Sequence, residues 1–496
     1  MGAGCARVRS AVLRGVEALE VSVEVSASAG IPALDIVGMP DSAVLEARSR
    51  VRCALRSSGF EVPRLHVTIN LQPSEMRKTG SGLDLAMAAG ILLASGQLPP
   101  RCCEGSLLVG ELALDGSVRP VRGEVAYARL ASSLGADLVV SADSPLPAGT
   151  CGTVRGLSAL AGLSRGISSL ASLSAALPRT DAGAAPDLDF ADVVDQDMAK
   201  RAMTIAAAGR HGILMVGPPG AGKTMLARRL PTILPPLTQE EAAEAMLVHS
   251  VAGQPLDDLA AGRRPFRAPH HSASVSGLVG GGRPVLPGEI SLAHAGVLFL
   301  DELPEFAHNA LQSMRQPLED HRVRLVRVDG VYVFPCDFQL VAAANPCPCG
   351  HLGDPGHECT CTAGRAAAYQ ARVGGPLMDR IDVVVDVRRP SSSRVIGGDG
   401  GLSSARMAQE VLRAREFAAW RASRGGAERA TTVAEADLDP AAQATFESLA
   451  ERLALGGRSI VRVARVARTI ADLEGRERVA PDDIVEAAAF RSRSMS

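Results

Sequence analysis

The sequence predicts a multidomain α/β protein with three folded parts, and three observations lead to that prediction. A chain of 496 residues is longer than one ordinary core requires, and 46% of it is hydrophobic, enough to fill several cores. Short apolar runs fit for buried strands alternate with stretches of helical periodicity. Two polar stretches of small residues, 169–187 and 390–404, interrupt that alternation. The expected layout is an α+β part at 1–168, a linker at 169–187, an α/β core at 188–390 and a helical part at 391–496. Aromatic residues make up 3% of the chain, so these cores must be built from Ala, Val, Leu and Ile.

In the first part, Val21, Val23 and Val25 alternate with polar residues and 65–71 reads as another strand, while 42–58 and 83–93 read as helices. The longest apolar stretch, 85–94, is shorter than the ~18 residues needed to cross a bilayer, and Asp84 and Gln97 flank it. The arginines near the start precede no continuous apolar segment of the secretory kind. A cytoplasmic chain with no membrane partner is therefore expected, and its ten cysteines should be thiols or metal ligands rather than a disulfide framework. The formal charge of −2 excludes a protein that is basic overall, so a polyanion would have to be held by a local patch or a lined channel.

The core opens on the apolar run Gly212–Val216, followed by Gly217, Pro218, Pro219, Gly220, Ala221, Gly222, Lys223 and Thr224. This is G-x-x-x-x-G-K-[ST], in which backbone N–H groups wrap nucleotide phosphates, the ammonium reaches the β and γ oxygens, and the hydroxyl helps hold Mg²⁺. The chain has three lysines against 49 arginines, which makes a chance match rare. The bland alternative is a glycine-rich turn before a helix. A second apolar run, Val297–Leu300, ends in Asp301 and Glu302. Acids at the end of a strand beside such a loop can orient the Mg²⁺ shell (Asp301) and polarise the attacking water (Glu302). A third run, 338–344, ends at Asn345, whose amide could hold that water or the γ-phosphate.

Further segments are RPFRAPHHSAS at 264–274, GEISLAHAGVLFLDEL at 288–303, QLVAAANPCPCG at 339–350, GPLMDRID at 375–382 and RSIVRVARVARTIADLEG at 458–475. In combination they resemble the AAA+ ATPases, with Asn345 in the place of sensor 1. Within that class they are most similar to the magnesium-chelatase-like group and its bacterial ComM/YifB competence-type proteins. The resemblance implies that ATP and Mg²⁺ are the cofactors, that Arg380 is an arginine finger reaching into a neighbour's site, and that Arg458 is sensor 2 on a helical lid. It further implies a homo-hexameric ring acting on single-stranded or branched DNA, with recombination proteins as further partners, in the recombination of incoming DNA. Two other readings stand beside it: a magnesium-chelatase ATPase subunit serving porphyrin metallation, which normally lacks such a front domain, and an ATP-dependent protease. One departure from the family pattern is Asp195, where relatives commonly carry Gly.

The front part resembles the Lon protease (S5-type) fold through RKTGSGLDLAMA at 77–88 and VGELALDGSVRPVRGEVA at 109–126. On that alignment the nucleophilic serine falls on Gly82 and the lysine base on Val125, so a Ser–Lys dyad cannot operate. Ser81 stands one residue away. The domain is then expected to serve assembly or substrate contact.

Two elements remain. Cys347, Cys349, Cys359 and Cys361 form two C-x-C pairs nine residues apart, with His351 and His357 between them. Four thiolates suit a tetrahedral structural Zn²⁺, against the alternative of free thiols. The stretch 322–328 alternates arginine with apolar residues, and Asp329-Gly330 signals a hairpin turn before 331–334. Arg322 and Arg324 would share one face of that ribbon, with Arg327 on the other. Read blandly this is a solvated hairpin; by the resemblance it is a pore element that meets DNA.

Overall fold

The computed structural model describes residues 4–146, 152–173, 188–354, 356–373, 377–397 and 401–491. Most of the expected linker, 174–187, lies outside the described residues.

The first part is built on an eight-stranded mixed sheet. Its strands are β1 (Gly4–Arg14), β2 (Glu17–Ser28), β3 (Ala33–Val37), β4 (His66–Gln72), β5 (Ser106–Leu108), β8 (Asp137–Ser141), β9 (Val154–Leu157) and β10 (Ala171–Ser172), while β6 (Glu111–Leu112) and β7 (Val118–Arg119) form a separate ribbon. The spatial order is β10-β9-β8-β5-β1-β2-β4-β3. The alternation read at Val21, Val23 and Val25 is the inward face of β2, and all three are fully buried. Helices α1 (Ser42–Ser57) and α2 (Asp84–Ala94) cover one face, and α3 (Glu124–Ser133) the other. The apolar stretch at 85–94 is all of α2 after its first residue, buried on nearly every side, as a helix that is apolar all round must be. Strand β10 pairs with β9 beyond the expected boundary at 168, so the sheet runs on to Ser172.

The core is a five-stranded sheet of β11 (Gly212–Val216), β12 (Phe266–Arg267), β15 (Val297–Leu300), β18 (Gln339–Ala344) and β19 (Ile381–Asp386), with a small ribbon of β13 (Gly280–Gly281) and β14 (Leu286–Pro287) beside it. The order is β12-β15-β18-β11-β19, and every pairing is parallel. Parallel strands are buried on both faces, which is why they read as unbroken apolar runs. Ile213, Met215, Phe299 and Val341 face one core, shared with α4 (Asp197–Gly209) and the C-terminal helices. Leu214, Leu298, Leu300 and Leu340 face a second core with Phe306, Leu311 and Phe334. The C-terminal part is helical, chiefly Ser404–Ser423, Pro440–Arg452, Gly457–Leu473 and Pro481–Ala489. The joint expected at 390–404 is partly ordered, since Ser392–Gly397 forms a short helix.

Asp195 has φ of +60°, in the left-handed region that glycine enters freely and other residues enter at a cost of about 1–2 kcal/mol. The turn keeps its shape because the Asp195 carboxylate accepts from the Ser391 backbone N–H at 2.9 Å and pairs with Arg394 at 3.0 Å. Asp195 thus occupies a left-handed position of the kind glycine fills at least cost.

The front part docks on the core. Backbone N–H groups of Gly123 and Val125 donate to the Ser250 carbonyl (2.9 Å) and hydroxyl (3.3 Å), and Leu13 and Val16, flanking the β1–β2 turn, pack against the second core.

Candidate active site

Strands β11, β15 and β18 run in one direction, so the residues just past their ends meet at the carboxyl edge of the sheet. This is where open α/β sheets bind ligands. Beyond β11 the loop turns through Gly220 (φ +77°) and Gly222 (φ +92°), with open space where their Cβ atoms would stand. The helix α5 (Lys223–Arg229) begins at the lysine itself. The Lys223 ammonium donates to the carbonyls of Gly217 (2.6 Å) and Pro218 (3.0 Å) and to the Asn345 amide oxygen (3.0 Å). Burial lowers its pKa, while the nearby Asp301 and Glu302 carboxylates oppose that shift. The Thr224 hydroxyl donates to Asp301 Oδ2 at 2.8 Å. Gln196 secures the loop from below, donating to the carbonyls of Ala221 and Arg388.

Glu302 stands next to this group in a left-handed conformation (φ +52°), its backbone N–H donating to Asp301 Oδ1 at 3.0 Å. Its carboxylate lies 3.0 Å from His271 Nδ1, and its side chain is 51% exposed, so water reaches it.

The donor set fits Mg²⁺ and a triphosphate. An ammonium whose hydrogen bonds go to neutral oxygens can take an anionic partner, and a hydroxyl beside a carboxylate is the usual protein contribution to a Mg²⁺ shell in such loops.

Arg380 and Arg458 are elsewhere. Arg380 immediately precedes β19, whose first residue pairs with Gly212, the first residue of β11. Five residues of strand separate that level from the phosphate loop, or roughly 16 Å at about 3.3 Å per residue. Arg458 reaches the same amino edge from the start of the helix Gly457–Leu473 and pairs with Asp379 at 2.6 Å, as does Arg462 at 2.8 Å. Arg380 pairs with Glu319 at 2.9 Å. Together with Arg315 and Arg465 these residues line a cavity of about 460 Å³. The expected site residues therefore form two groups: Glu302 and Asn345 join Lys223, Thr224 and Asp301, while Arg380 and Arg458 line one cavity at the opposite edge of the sheet.

Residues 189–395 match the family described as magnesium chelatase, subunit ChlI; residues 23–144 match subunit ChlI of Mg-chelatase, and 401–491 its C-terminal region. The competence protein ComM of Haemophilus influenzae is 38% identical over 495 residues, covering 98% of this chain and 97% of that protein. The uncharacterized protein YifB of Escherichia coli is 38% identical, covering 96% and 95%. The chain belongs to the ComM/YifB family of magnesium-chelatase-like proteins. A magnesium-chelatase 67 kDa subunit of Chlorobaculum tepidum is more distant, 28% identical over 159 residues, 32% of this chain and 23% of that protein. As a ComM/YifB protein the chain is an AAA+-type ATPase, which agrees with the nucleotide geometry.

Two features of this ComM/YifB chain were not legible as site residues. His271 lies in the quoted 264–274 segment, but only the fold brings it to Glu302. Asp379 precedes Arg380 in sequence, and only docking of the C-terminal helix makes it the shared partner of Arg458 and Arg462.

The four cysteines converge. Their sulfurs lie within 4.8 Å of one another, with Cys347 3.3 Å from Cys349 and 3.7 Å from Cys359. Four ligands at 2.3 Å in a tetrahedron would stand about 3.8 Å apart, so the cluster could hold a metal ion. The backbone N–H of His351, ahead of the Cys347 and Cys361 thiols, holds the Cys349 thiol down to about 5. Against the pull of backbone N–H donors, burial and the neighbouring sulfurs push Cys359 up to about 11 and Cys361 upward, as thiols sharing one cluster must. This loop braces the nucleotide site: Gly350 is packed against Pro219, and Asp354 gathers His351 (3.3 Å), His357 (3.4 Å) and Arg389 (3.6 Å) from the segment after β19.

The arginine ribbon is present as β16 (Arg322–Arg327) and β17 (Gly330–Pro335), with Val323 buried between exposed Arg322 and Arg324. Its two-residue turn is Val328-Asp329, one residue earlier than expected, because Gly330 (φ +142°) pairs with Arg327 as part of the strand. Arg327 is exposed as well, and Arg14 from the front part lies against Gly330, adding a cation to the tip.

At the front part's expected catalytic positions, a Cβ on Gly82 would lie 3.3 Å from the Val109 side chain and 3.9 Å from the Tyr127 hydroxyl. Val125 packs with the Tyr127 cluster, and Ser81 donates to Glu111. Lys78 is fully buried, its ammonium donating to the Pro73 carbonyl. No helix among the described residues is long and apolar enough to cross a membrane.

Proposed function

We propose that the protein is a homo-hexameric ring motor that hydrolyses ATP to move along single-stranded or branched DNA, promoting branch migration in the recombination of incoming DNA in the cytoplasm. The observation that carries this reading is the separation of Arg380 and Arg458 from their own phosphate loop by the length of the core sheet. An arginine that cannot reach its own site but fronts a wide cationic cavity suits a site completed by a neighbouring copy. Bound Mg-ATP supplies the transferable phosphoryl group and the metal's charge. With it bound, Lys223 and the loop N–H groups would hold the phosphates, Thr224 and Asp301 would hold the metal, Glu302 would draw the proton from the attacking water, and Asn345 would orient that water. Arg380 and Arg458 from the next copy meet the developing charge on the phosphoryl oxygens.

Full-length likeness to ComM, against a partial match to a chelatase subunit, favours DNA over a porphyrin as the object of the motor. The front part is read as a Lon-like fold without its dyad, used for assembly, because neither Gly82 nor Val125 offers a nucleophile or base. In a ring, Arg322 and Arg324 of each copy would line the channel and contact the DNA backbone. Arg322→Ala with Arg324→Ala is expected to weaken single-stranded DNA binding and to shrink the slope of log K against log salt by about 0.7 for each lost phosphate contact. Unchanged affinity across several salt concentrations would refute the channel assignment. ATPase rate with and without forked DNA tests the motor itself: stimulation and strand displacement are expected, and their joint absence would remove it.

The cysteine cluster is read as a structural Zn²⁺ site. One zinc per chain is expected by metal analysis of protein purified without chelator, and stripping it should lower ATP turnover, because Cys347 lies two residues past Asn345 and Gly350 packs on the phosphate loop. No zinc together with four titratable thiols would end that assignment.

A further inference from the structure

We propose that the protein holds a second anion site, for one phosphate-class oxyanion, in a cavity where the C-terminal helices meet the core, with Arg415 and Arg429 as its principal ligands. The cavity, about 130 Å³, lies between the end of α4 and the helices Ser404–Ser423 and Gly457–Leu473. Arg210, Arg415, Arg429, Arg465 and Arg468 line it, against two carboxylates, Glu428 and Asp472.

Most of these charges are already matched. Asp472 is held by Arg421 at 2.8 and 2.9 Å and by Arg468 at 3.0 Å. Arg210 pairs with Asp337 at 2.7 Å and Arg465 with Asp382 at 3.5 Å. Arg415 and Arg429 differ: among the described residues neither has a carboxylate within 4 Å. Arg415 donates from Nη2 to the Ala207 carbonyl at 2.6 Å, and Arg429 from Nη2 to the Arg210 carbonyl at 3.3 Å. The Nε of Arg415 is buried without a hydrogen-bond partner. Burial, and after it the Arg210 guanidinium, pull Arg415 down to about 10.

A partly buried guanidinium among others, with a donor unused, is costly unless an anion completes it. Guanidinium forks match the oxygens of a tetrahedral oxyanion, and one cavity wall supplies two such forks. The volume has room for a single oxyanion and excludes a whole nucleotide, which distinguishes this site from the phosphate loop. Its walls come from both the core and the C-terminal helices, so an occupant would bridge the two.

The test uses the full chain carrying Lys223→Ala, which silences the phosphate loop, with inorganic phosphate as probe in equilibrium dialysis. Saturable binding of one phosphate per chain is expected, with no competition from ADP. Adding Arg415→Gln and Arg429→Gln should weaken it at least tenfold, whereas Arg424→Gln, an equal loss of charge at an arginine stacked over Trp420, should leave it unchanged. Arg429→Gln alone, at a residue open to solvent, gives the same reading with the fold least disturbed and should weaken binding several-fold. Absence of saturable binding in the Lys223→Ala chain would overturn the proposal, as would equal binding by the Arg429→Gln and Arg424→Gln chains. Neither outcome bears on hydrolysis, so the motor and this site stand or fall separately.

Discussion

Arg380→Ala is expected to cut ATP turnover by about 10³–10⁵-fold while leaving ATP affinity close to wild type. That loss corresponds to about 4–7 kcal/mol of transition-state stabilisation, which a cation supplies only if it meets the phosphoryl group directly. Within its own chain Arg380 lies at the amino edge of the sheet, paired with Glu319, and touches nothing in the phosphate loop. A structural role there would have a different signature: removing an exposed ion pair costs about 0–1 kcal/mol of stability and should leave turnover nearly intact. Steady-state turnover and nucleotide binding measured on the same preparation distinguish the two. A variant with normal turnover would show that Arg380 serves only its Glu319 contact.

Glu302→Gln is expected to lower turnover by about 10²–10⁴-fold, the usual worth of a positioned general base, again with ATP still bound. The amide keeps the shape of the side chain and its contact with His271 but cannot accept the water's proton. Glu302 sits in a left-handed backbone conformation with its carboxylate beside His271, while the oxygens of Asp301 are engaged by Thr224 and the Glu302 backbone N–H. On the proposed mechanism the two acids divide the work, Asp301 toward the metal and Glu302 toward water. Retained single-turnover hydrolysis in the Glu302→Gln chain would move the base elsewhere, with His271 the first alternative by position.

Much of the grouping of Lys223, Thr224, Asp301 and Asn345 was legible because parallel strands buried on both faces leave uninterrupted apolar runs, and the residues after such runs gather at one edge of the sheet. Gly212–Val216 and Val297–Leu300 appear with the limits read from the sequence. The place of Arg380 and Arg458, at the amino edge of the sheet, was not legible. Nothing local in the sequence around Arg458 says that its helix crosses to the start of β19, since that depends on how the C-terminal helices pack on one core face. The pairing of His271 with Glu302 likewise needs β12 beside β15. The hairpin turn moved by one residue because Gly330 serves as a strand residue lying against Arg14. The cysteines were readable as a group, but their loop's contact with Pro219 was not, because Gly350 meets that proline only after the chain turns back on the phosphate loop.

On the proposed mechanism each triphosphate is hydrolysed at a seam between copies. Mixing the Arg380→Ala and Glu302→Gln chains in equal amounts tests it most directly, because each supplies the half of the site that the other lacks. Random assembly would rebuild roughly a quarter of the seams with both residues intact, so turnover should rise far above that of either variant alone. A mixture no more active than its components, under conditions where the chains exchange and assemble, would contradict the shared site.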